Sequence, residues 1–258
     1  MQQTSRSGKS KQFSDVEWQA RVDLAAAHRL AFMHDMHEGI FNHLTLVVPG
    51  KSDRYYQIPF GTHWSEATAS CFMEVSYEGE LMFGEGEIER SCLCIHAPIH
   101  RKHPEHATAV FHTHMPHASA LSRLEDPRIK PIGQTEVMLS SMIAYDSDYT
   151  GPAMDPSEGE RLAGLIGREK ILFMANHGVV TFGSVVSEAF DLLYYTERAA
   201  QVQLYAMWTG QTLQPMKPEA EQQTRSFKGQ TFKRGKPHVY HFDALKRMLD
   251  RKEPDYKD

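Results

Sequence analysis

Short apolar and β-branched runs alternate with segments of helical periodicity through most of this 258-residue chain. Runs such as HLTLVV, KILFMA and VVTFG have the length and composition of buried strands. The segments between them carry apolar residues at helical spacing. No stretch rich in Ser, Gly and Pro interrupts this alternation before about residue 210. The pattern therefore predicts one α/β domain in which helices cover a central sheet.

Local signals predict where the helices begin and end. Ser14, followed three residues later by Glu17, forms a capping-box sequence, and Gly39 is expected to end the helix that follows. Further helices are predicted over residues 90–103, from Pro116, from Asp155-Pro156 through Gly167, from a cap at Ser184 to near Trp208, and over residues 242–251.

Three segments are predicted along the chain: a mobile polar tail (1–13), a domain (14–210) and a polar, proline-punctuated extension (211–258). No apolar run approaches the roughly 20 residues that cross a bilayer, and the first residues lack the apolar core of a signal peptide. The formal net charge of −5 gives no general attraction to nucleic acid or anionic lipid. We therefore expect a cytoplasmic protein with neither nucleic acid nor membrane as a partner.

Histidine is the residue type that most directly suggests chemistry. The chain has 15 histidines, seven of them between His96 and His117, but only 3 cysteines. An odd number of cysteines, two of them at Cys92 and Cys94, does not suggest a disulfide framework. We expect His96 and His100, one helical turn apart, to pack beneath a site with hydrogen-bonded ring nitrogens.

A pair of histidines ends one predicted strand. In His112-Thr113-His114, the two-residue period of a strand directs both imidazoles to one face, at a spacing suited to one metal ion. The best candidate for a third ligand is His177, in an Asn-His-Gly turn between two predicted strands. Three imidazoles favour zinc or another divalent transition metal. The alternative is that the pair is two partly buried polar groups at a strand end.

Three longer motifs contain or follow these histidines: FHTHMPHASAL, ILFMANHGVVTFG and the helical SEAFDLLYYTERAAQVQLYAM. With the earlier EGIFNHLTLVVPG and QIPFGTHWSEATASCFMEVSYEGE, they resemble the class II aldolase and adducin head family over about residues 15–208. The resemblance implies a three-layer α/β/α fold with a central mixed, mostly antiparallel sheet, as in fuculose phosphate aldolase. It also implies a homotetramer with sites between subunits. A divalent ion, generally zinc but iron or manganese in some relatives, would be bound by His112, His114 and His177.

The same resemblance shows a departure from the aldolase pattern. Aldolases of the family have a glutamate four residues before a helical histidine, where it serves as acid/base and as a resting metal ligand. Counting back from His96, Cys92 occupies that position, either as a fourth ligand or as a neutral wall. Glu87 and Glu89 are close in sequence, but helical geometry places them on other faces. Glu136 is a replacement acid/base or ligand, or else a first-turn helix carboxylate.

The resemblance to the family also implies candidate substrate-binding residues. Asn42 matches a pocket residue of the family, and Gly61 and Ser91 match parts of its phosphate cradle, whose second hydroxyl has no counterpart. Gln134 lies in the segment where the aldolases have a tyrosine acid. His117 follows the histidine pair by less than one helical turn and is placed to reach a small-molecule substrate.

The sequence is compatible with three functions. The first is a divalent-metal-dependent lyase that acts on a small hydroxy- or oxo-acid or a sugar-derived substrate. It would catalyse retro-aldol cleavage or decarboxylation through an enolate that the metal stabilises. The second is a non-catalytic oligomeric scaffold like the adducin head, which the missing glutamate favours. A redox-metal enzyme on the same fold is a third. We favour the lyase, because all three candidate histidine ligands are present.

Overall fold

A computed structural model describes residues 12–227 and 235–258, so the predicted tail lies almost entirely outside the described residues. The strands are β1 (His43–Val47), β2 (Arg54–Gln57), β3 (Met73–Ser76), β4 (Leu81–Phe83), β5 (Ala109–Thr113), β6 (Ile143–Asp146), β7 (Ile171–Met174) and β8 (Val179–Gly183). The α-helices are α1 (Asp15–Met33), α2 (Arg90–Lys102), α3 (Pro116–Leu121), α4 (Gln134–Ser140), α5 (Pro156–Leu165), α6 (Val186–Trp208), α7 (Pro218–Phe227) and α8 (Pro237–Lys252). Among the described residues, no helix has the length and apolar character of a membrane span.

The strands form one sheet in the order β4-β3-β2-β1-β5-β8-β7-β6. Neighbouring strands run antiparallel except for β6 and β7, which are parallel. The predicted α/β class with a mixed, mostly antiparallel sheet is therefore confirmed. β5 lies inside the sheet between β1 and β8, so hydrogen bonds on both sides hold the strand that carries the histidine pair.

Side chains of the central strands alternate between two apolar cores, one on each face of the sheet. In β5, Ala109 and Phe111 belong to the core under α1 and α6, whereas Val110 belongs to the core under α2 and α5. Because a strand repeats every two residues, His112 shares the α2 face with Val110. Helices cover both faces, and the histidine pair is directed toward the layer that contains α2.

Capping signals located most helix starts correctly. The Ser14 hydroxyl accepts the Glu17 N–H at 3.2 Å, and the Glu17 carboxylate accepts the Ser14 N–H at 2.9 Å, as the capping box predicts. The predicted cap at Ser184 is wrong by one residue, because Val185 is the N-cap of α6. The N–H and hydroxyl of Ser184 both donate to Glu188, which satisfies them outside the helix.

The first helix is shorter than predicted. It ends at Met33 and not near Gly39, because Asp35 adopts a left-handed conformation with φ of 56° that turns the chain away. The segment between α1 and β1, residues 34–42, passes the end of β5. Glu38 and Asn42, both in this segment, contact His114 there.

The C-terminal extension packs on the domain. Its last helix, α8, is longer than the predicted 242–251, and α7 precedes it without having been predicted. Phe242 of α8 is buried in the core under α1 and α6. Arg29 of α1 donates to Glu253 at 2.9 Å and to Asp255 at 2.8 Å, so charged groups also hold the end of the chain.

Candidate metal centre

Three histidines meet where the central strand β5 ends, beside the turn between β7 and β8. His112 lies in β5, His114 follows the end of that strand, and His177 lies in the turn between β7 and β8. Because β5 pairs with β8 up to its last residue, this turn is beside the end of β5. Gly178 permits the close approach, since an added Cβ would lie 2.5 Å from the Thr113 carbonyl oxygen and 2.9 Å from His114 Cδ2. The structure thus brings together the three predicted ligands.

The three imidazoles form a compact triangle. The ring centroids are 4.9 Å apart for His112 and His114, and 4.8 Å from each of these to His177. One nitrogen from each ring lies within 4.8 Å of the other two. The Nε2 atoms of His112 and His114 are 3.1 Å apart. Such spacing allows three nitrogens to share one ion.

Hydrogen bonds determine which nitrogen faces the centre of this triangle. His112 Nδ1 donates to the Val179 carbonyl at 3.0 Å, and His114 Nδ1 donates to the Glu38 carboxylate. Each ring therefore uses Nδ1 for a partner outside the triangle and directs Nε2 toward the other ring. Imidazoles held in this way by a carbonyl or carboxylate are typical metal ligands, and the donor set fits zinc or a similar divalent ion.

Burial keeps two of these rings neutral. It lowers the pKa of His112 well below its usual range, and the adjacent His177, His43 and His114 imidazoles lower it further. Burial also lowers the pKa of His177 to about 4, with smaller contributions from His114 and His43. A metal ion binds the neutral ring, so at neutral pH neither His112 nor His177 has to lose a proton first.

Asn42, a predicted substrate-binding residue, lies beside the histidine triangle. Its Oδ1 accepts the backbone N–H of His114 at 3.1 Å, which fixes the orientation of the amide. The residue is 4% exposed, and Nδ2 has no hydrogen-bond partner within the described part of the chain. A buried donor without an acceptor costs about 1–3 kcal/mol. Asn42 Nδ2 is therefore a buried donor that no described acceptor satisfies, in a residue bonded to the backbone of His114.

A second set of polar side chains lies behind the triangle, between β1 and α2. His43 pairs in register with His112, and their ring centroids are 4.9 Å apart. His43 Nδ1 is 2.8 Å from His96 Nε2. The Thr45 hydroxyl is 2.7 Å from His96 Nδ1 and 2.8 Å from His100 Nε2. The expectation that His96 and His100 are buried and hydrogen-bonded beneath the site is confirmed.

Cys92 lies in the first turn of α2 and is fully buried. Its sulfur and one nitrogen each of His43 and His96 lie within 4.8 Å of one another. Burial raises the pKa of the Cys92 thiol well above its usual range, and the charges of Glu89 and Cys94 raise it further. In the absence of an ion the side chain is a neutral thiol.

Glu89 is the N-cap of α2 and places a carboxylate beside Cys92. It accepts the Ser91 N–H at 3.1 Å, the Ser91 hydroxyl at 2.8 Å and the Cys92 N–H. Glu89 Oε2 is 3.5 Å from His43 Nε2. The expectation that helical geometry separates Glu89 from this position is wrong, because a capping side chain lies outside the helix and folds back over its first turn.

Four of the predicted site residues, the acid/base candidate Glu136 and three substrate-binding candidates, have no described contact with the histidine triangle. Gln134 and the buried Glu136 line a cavity of about 340 Å³ between α4, α6 and α8. His117 Nδ1 hydrogen-bonds to Glu197 of α6 at 2.6 Å. Gly61 lies in an exposed loop with φ of +90°. The roles predicted for these residues, including an acid/base role for Glu136, stay predictions.

Glu38, His43 and Thr45 belong to the site without forming a recognisable sequence motif. Their signal is positional. His43 and Thr45 alternate on a strand, while His96 and His100 are one turn apart on a helix, so the two pairs face each other when the helix covers the strand. Glu38 has no such signal, because it lies in an irregular segment whose path depends on packing.

Comparison with known proteins agrees with this fold. The sequence profile of the family described as Class II Aldolase and Adducin N-terminal domain matches residues 22–204. A Caulobacter vibrioides protein named for the class 2 aldolases is 32% identical over 247 residues, which are 95% of this chain and 94% of that protein. The crystal structure of an aldolase II superfamily protein from Pseudomonas syringae has a TM-score of 0.88 at 32% identity, covering 96% of this chain and 99% of that one.

The L-fuculose 1-phosphate aldolase of Glaciozyma antarctica has a TM-score of 0.83 at 21% identity, covering 100% of this chain and 97% of that one. This likeness concerns the fold alone. The match over residues 22–204 and the relatives at 32% identity extend through the domain that carries the histidine triangle. The chain therefore belongs to the class II aldolase and adducin N-terminal domain family.

Proposed function

We propose that this protein is a divalent-metal-dependent carbon–carbon lyase for a small hydroxy- or oxo-acid or a sugar-derived substrate, acting by retro-aldol cleavage or decarboxylation. The main support is the pair of facing Nε2 atoms of His112 and His114, 3.1 Å apart, with His177 completing the triangle. When bound there, a divalent ion, zinc first and Fe²⁺ or Mn²⁺ as alternatives, supplies a Lewis acid for charge that develops on substrate oxygens.

The protein's own groups bind the substrate and transfer protons. Asn42 Nδ2 donates a hydrogen bond to a substrate oxygen, since no protein acceptor in the described chain satisfies it. We assign proton transfer to Glu89 Oε2, because this partly exposed carboxylate folds over the turn where related aldolases have their glutamate. Ser91 holds the same carboxylate through its hydroxyl. Cys92 is the buried neutral wall behind it.

Decarboxylation is the less demanding of the two reactions for this site. It needs no base to remove a hydroxyl proton before the carbon–carbon bond breaks, whereas retro-aldol cleavage does. The presence of Cys92 at the position of the aldolase glutamate should therefore impair decarboxylation less than retro-aldol cleavage.

We also propose a cytoplasmic homotetramer with sites between subunits. The support is the exposed face of α6, where Val202, Tyr205 and Trp208 leave 48%, 48% and 80% of their surfaces accessible. Apolar side chains grouped on one helix face are typical of a protein interface. Light scattering coupled to gel filtration should give the tetramer mass, and a Trp208→Asp variant should give a smaller species.

Metal content tests the candidate centre directly. Protein purified without added metal, then equilibrated with zinc and desalted, should hold one ion per chain. His114→Ala should lose it, whereas His106→Ala, at an exposed histidine, should retain it. Failure of the wild-type protein to retain any divalent ion would refute the proposed function.

The proton-transfer assignment has its own test. Glu89→Gln should keep its metal but lose about 10²–10⁴-fold in turnover, which is the usual contribution of general acid–base catalysis. The exposed neighbour Glu87 provides the control, as Glu87→Gln should be unaffected. The assay detects released aldehyde or carbon dioxide from ketose phosphates and from 2-hydroxy- and oxo-acids. Equal turnover of Glu89→Gln and wild type would exclude Glu89 and favour Glu136.

A non-catalytic scaffold similar to the adducin head is the second candidate. The neutral thiol of Cys92 at the position of the aldolase glutamate favours it. A fully metal-loaded tetramer that turns over none of these substrates would support the scaffold over the lyase.

A further inference from the structure

We propose that His43 is a fixed hydrogen-bond acceptor for a substrate hydroxyl at the candidate metal centre, held in one tautomer by a buried relay of His96, Thr45 and His100. The choice of a hydroxyl-bearing ligand rests on the proposed function. The relay itself depends only on contacts within the chain.

The relay is possible because a strand and a helix have matching spacings. His43 and Thr45 are two residues apart on β1, which separates them by about 6.6 Å along the strand. His96 and His100 are four residues apart on α2, which separates them by about 6 Å along the helix. When α2 covers β1, the two pairs interleave, and a continuous chain of hydrogen bonds forms.

The chain of hydrogen bonds is anchored at a backbone carbonyl. His100 Nδ1 lies 2.5 Å from the Ala107 carbonyl oxygen, which can accept a proton but has none to donate. His100 therefore carries its hydrogen on Nδ1. Burial lowers the pKa of His100 to about 4, so the ring is neutral near pH 7 and its Nε2 has a lone pair.

Each subsequent link is determined by the one before it. The Thr45 hydroxyl donates to His100 Nε2 at 2.8 Å, because otherwise two lone pairs would meet; the Val110 carbonyl at 3.3 Å is the more distant acceptor. The Thr45 oxygen then accepts from His96 Nδ1 at 2.7 Å. His96 Nε2, now unprotonated, accepts from His43 Nδ1 at 2.8 Å.

His43 Nε2 is the free end of the relay. The residue is 4% exposed, and its ring lies beside that of His112. The groups near Nε2 are the Ser91 hydroxyl at 3.3 Å and Glu89 Oε2 at 3.5 Å. Ser91 has one proton and directs it to Glu89 at 2.8 Å, while the carboxylate can only accept. Among the described residues, His43 Nε2 is thus an acceptor without a committed donor beside His112, and a substrate hydroxyl would supply one.

An ion bound between His43, Cys92 and His96 is the competing explanation of this cluster. The 2.8 Å separation of His43 Nδ1 and His96 Nε2 is that of a hydrogen bond, with one proton between the two nitrogens. An ion would require both nitrogens to be unprotonated, and the thiol to lose its proton as well. The two explanations therefore predict different protonation of the same atoms.

Nitrogen-15 NMR of histidine-labelled, metal-free protein measures these tautomers directly. Long-range proton–nitrogen correlations should show His43, His96 and His100 each protonated on Nδ1 alone, with assignments from single His→Gln variants. Thr45→Val keeps the side-chain shape but removes the hydroxyl, so His43 and His96 should become mixtures of tautomers. Thr45→Ser should restore the wild-type pattern. His43 protonated on Nε2 in the wild type, or an unchanged pattern in Thr45→Val, would overturn the proposal.

Glycolate and acetate distinguish the ligand role of His43 from a purely structural one. In zinc-loaded protein, glycolate should shift the His43 Nε2 resonance, whereas acetate, which lacks the hydroxyl, should not. Glycolate affinity should fall about three- to tenfold in Thr45→Val, the usual effect of one hydrogen bond, and recover in Thr45→Ser. Glycolate binding that leaves this resonance unmoved would refute the acceptor role while the metal centre stands.

Cobalt loading separates the remaining outcomes. One equivalent of Co²⁺ without cobalt–thiolate charge-transfer absorption supports the relay. A second equivalent with that absorption places an ion at Cys92 and overturns the relay. If the triangle of His112, His114 and His177 takes up no ion at all, the proposed function fails, and the tautomer measurement still decides the relay.

Discussion

Helix α5 packs on α2 through a glycine, and this contact allows a specific prediction of stability. A Cβ added to Gly159 would lie 1.9 Å from the Cys94 carbonyl oxygen and 2.8 Å from Pro98 Cγ. The carbonyl belongs to α2, so in Gly159→Ala the two helices must separate by about 1.5 Å to reach ordinary contact. Overpacking of this kind costs about 1–3 kcal/mol. The higher helix propensity of alanine offsets up to about 1 kcal/mol of a central cost of about 2 kcal/mol, leaving a net loss of about 1–2 kcal/mol.

The same substitution elsewhere in α5 is the matched control. A Cβ at Gly164 would meet only the flexible tip of Lys102, at 3.5 Å. The propensity gain is then unopposed, and Gly164→Ala should raise the free energy of unfolding by up to about 1 kcal/mol. Urea unfolding at fixed protein concentration, followed by far-ultraviolet circular dichroism, measures both variants. A Gly159→Ala protein as stable as the wild type would refute the close packing of α5 on α2.

Two further predictions concern charge. Glu38→Gln keeps an acceptor for His114 Nδ1 but removes the carboxylate charge. Zinc affinity, measured by competition with a chelator, should fall about tenfold. This is the lower end of the usual range, because the Glu38 side chain is 61% exposed. Glu105→Gln should leave affinity unchanged, and equal affinities of Glu38→Gln and wild type would contradict the orienting role. His28 is fully buried, and burial lowers its pKa to about 4 from 6.5, so the unfolded chain binds a proton in this interval that the folded chain does not. Stability is therefore lost as pH falls from 6.5 toward 4, by up to about 1.4 kcal/mol per pH unit for this group. His28→Leu should reduce that slope in urea unfolding between pH 6.5 and 4.5, and an unaltered slope would rule out a neutral buried His28.

Much of the element order, and the grouping of the three histidines, could be predicted from the sequence. The histidine spacing at His112 and His114 gives a shared face because the strand period is two residues. The Asn-His-Gly turn placed His177 between two recognisable strands, and the family motifs linked it to the pair. Each of these signals spans only a few residues, so it can be interpreted without knowing how the helices and strands pack.

The chemistry around the triangle depended on the tertiary structure. Glu38 reaches His114 only because α1 ends at Met33, and Glu89 reaches His43 only because it caps α2 from outside the helix. Neither helix boundary follows from a sequence periodicity, since both involve irregular backbone whose path is set by packing.

The relay shows the division most clearly. The sequence alone determines that His43 and Thr45 share a strand face and that His96 and His100 share a helix face. Their contact joins positions more than 50 residues apart and requires both the register of β1 against β5 and the rotation of α2 over the sheet. The tautomer of His43 then depends on the Ala107 carbonyl, at the far end of the hydrogen-bond chain. Hydrogen-bond direction passes from partner to partner, so only the assembled structure decides it.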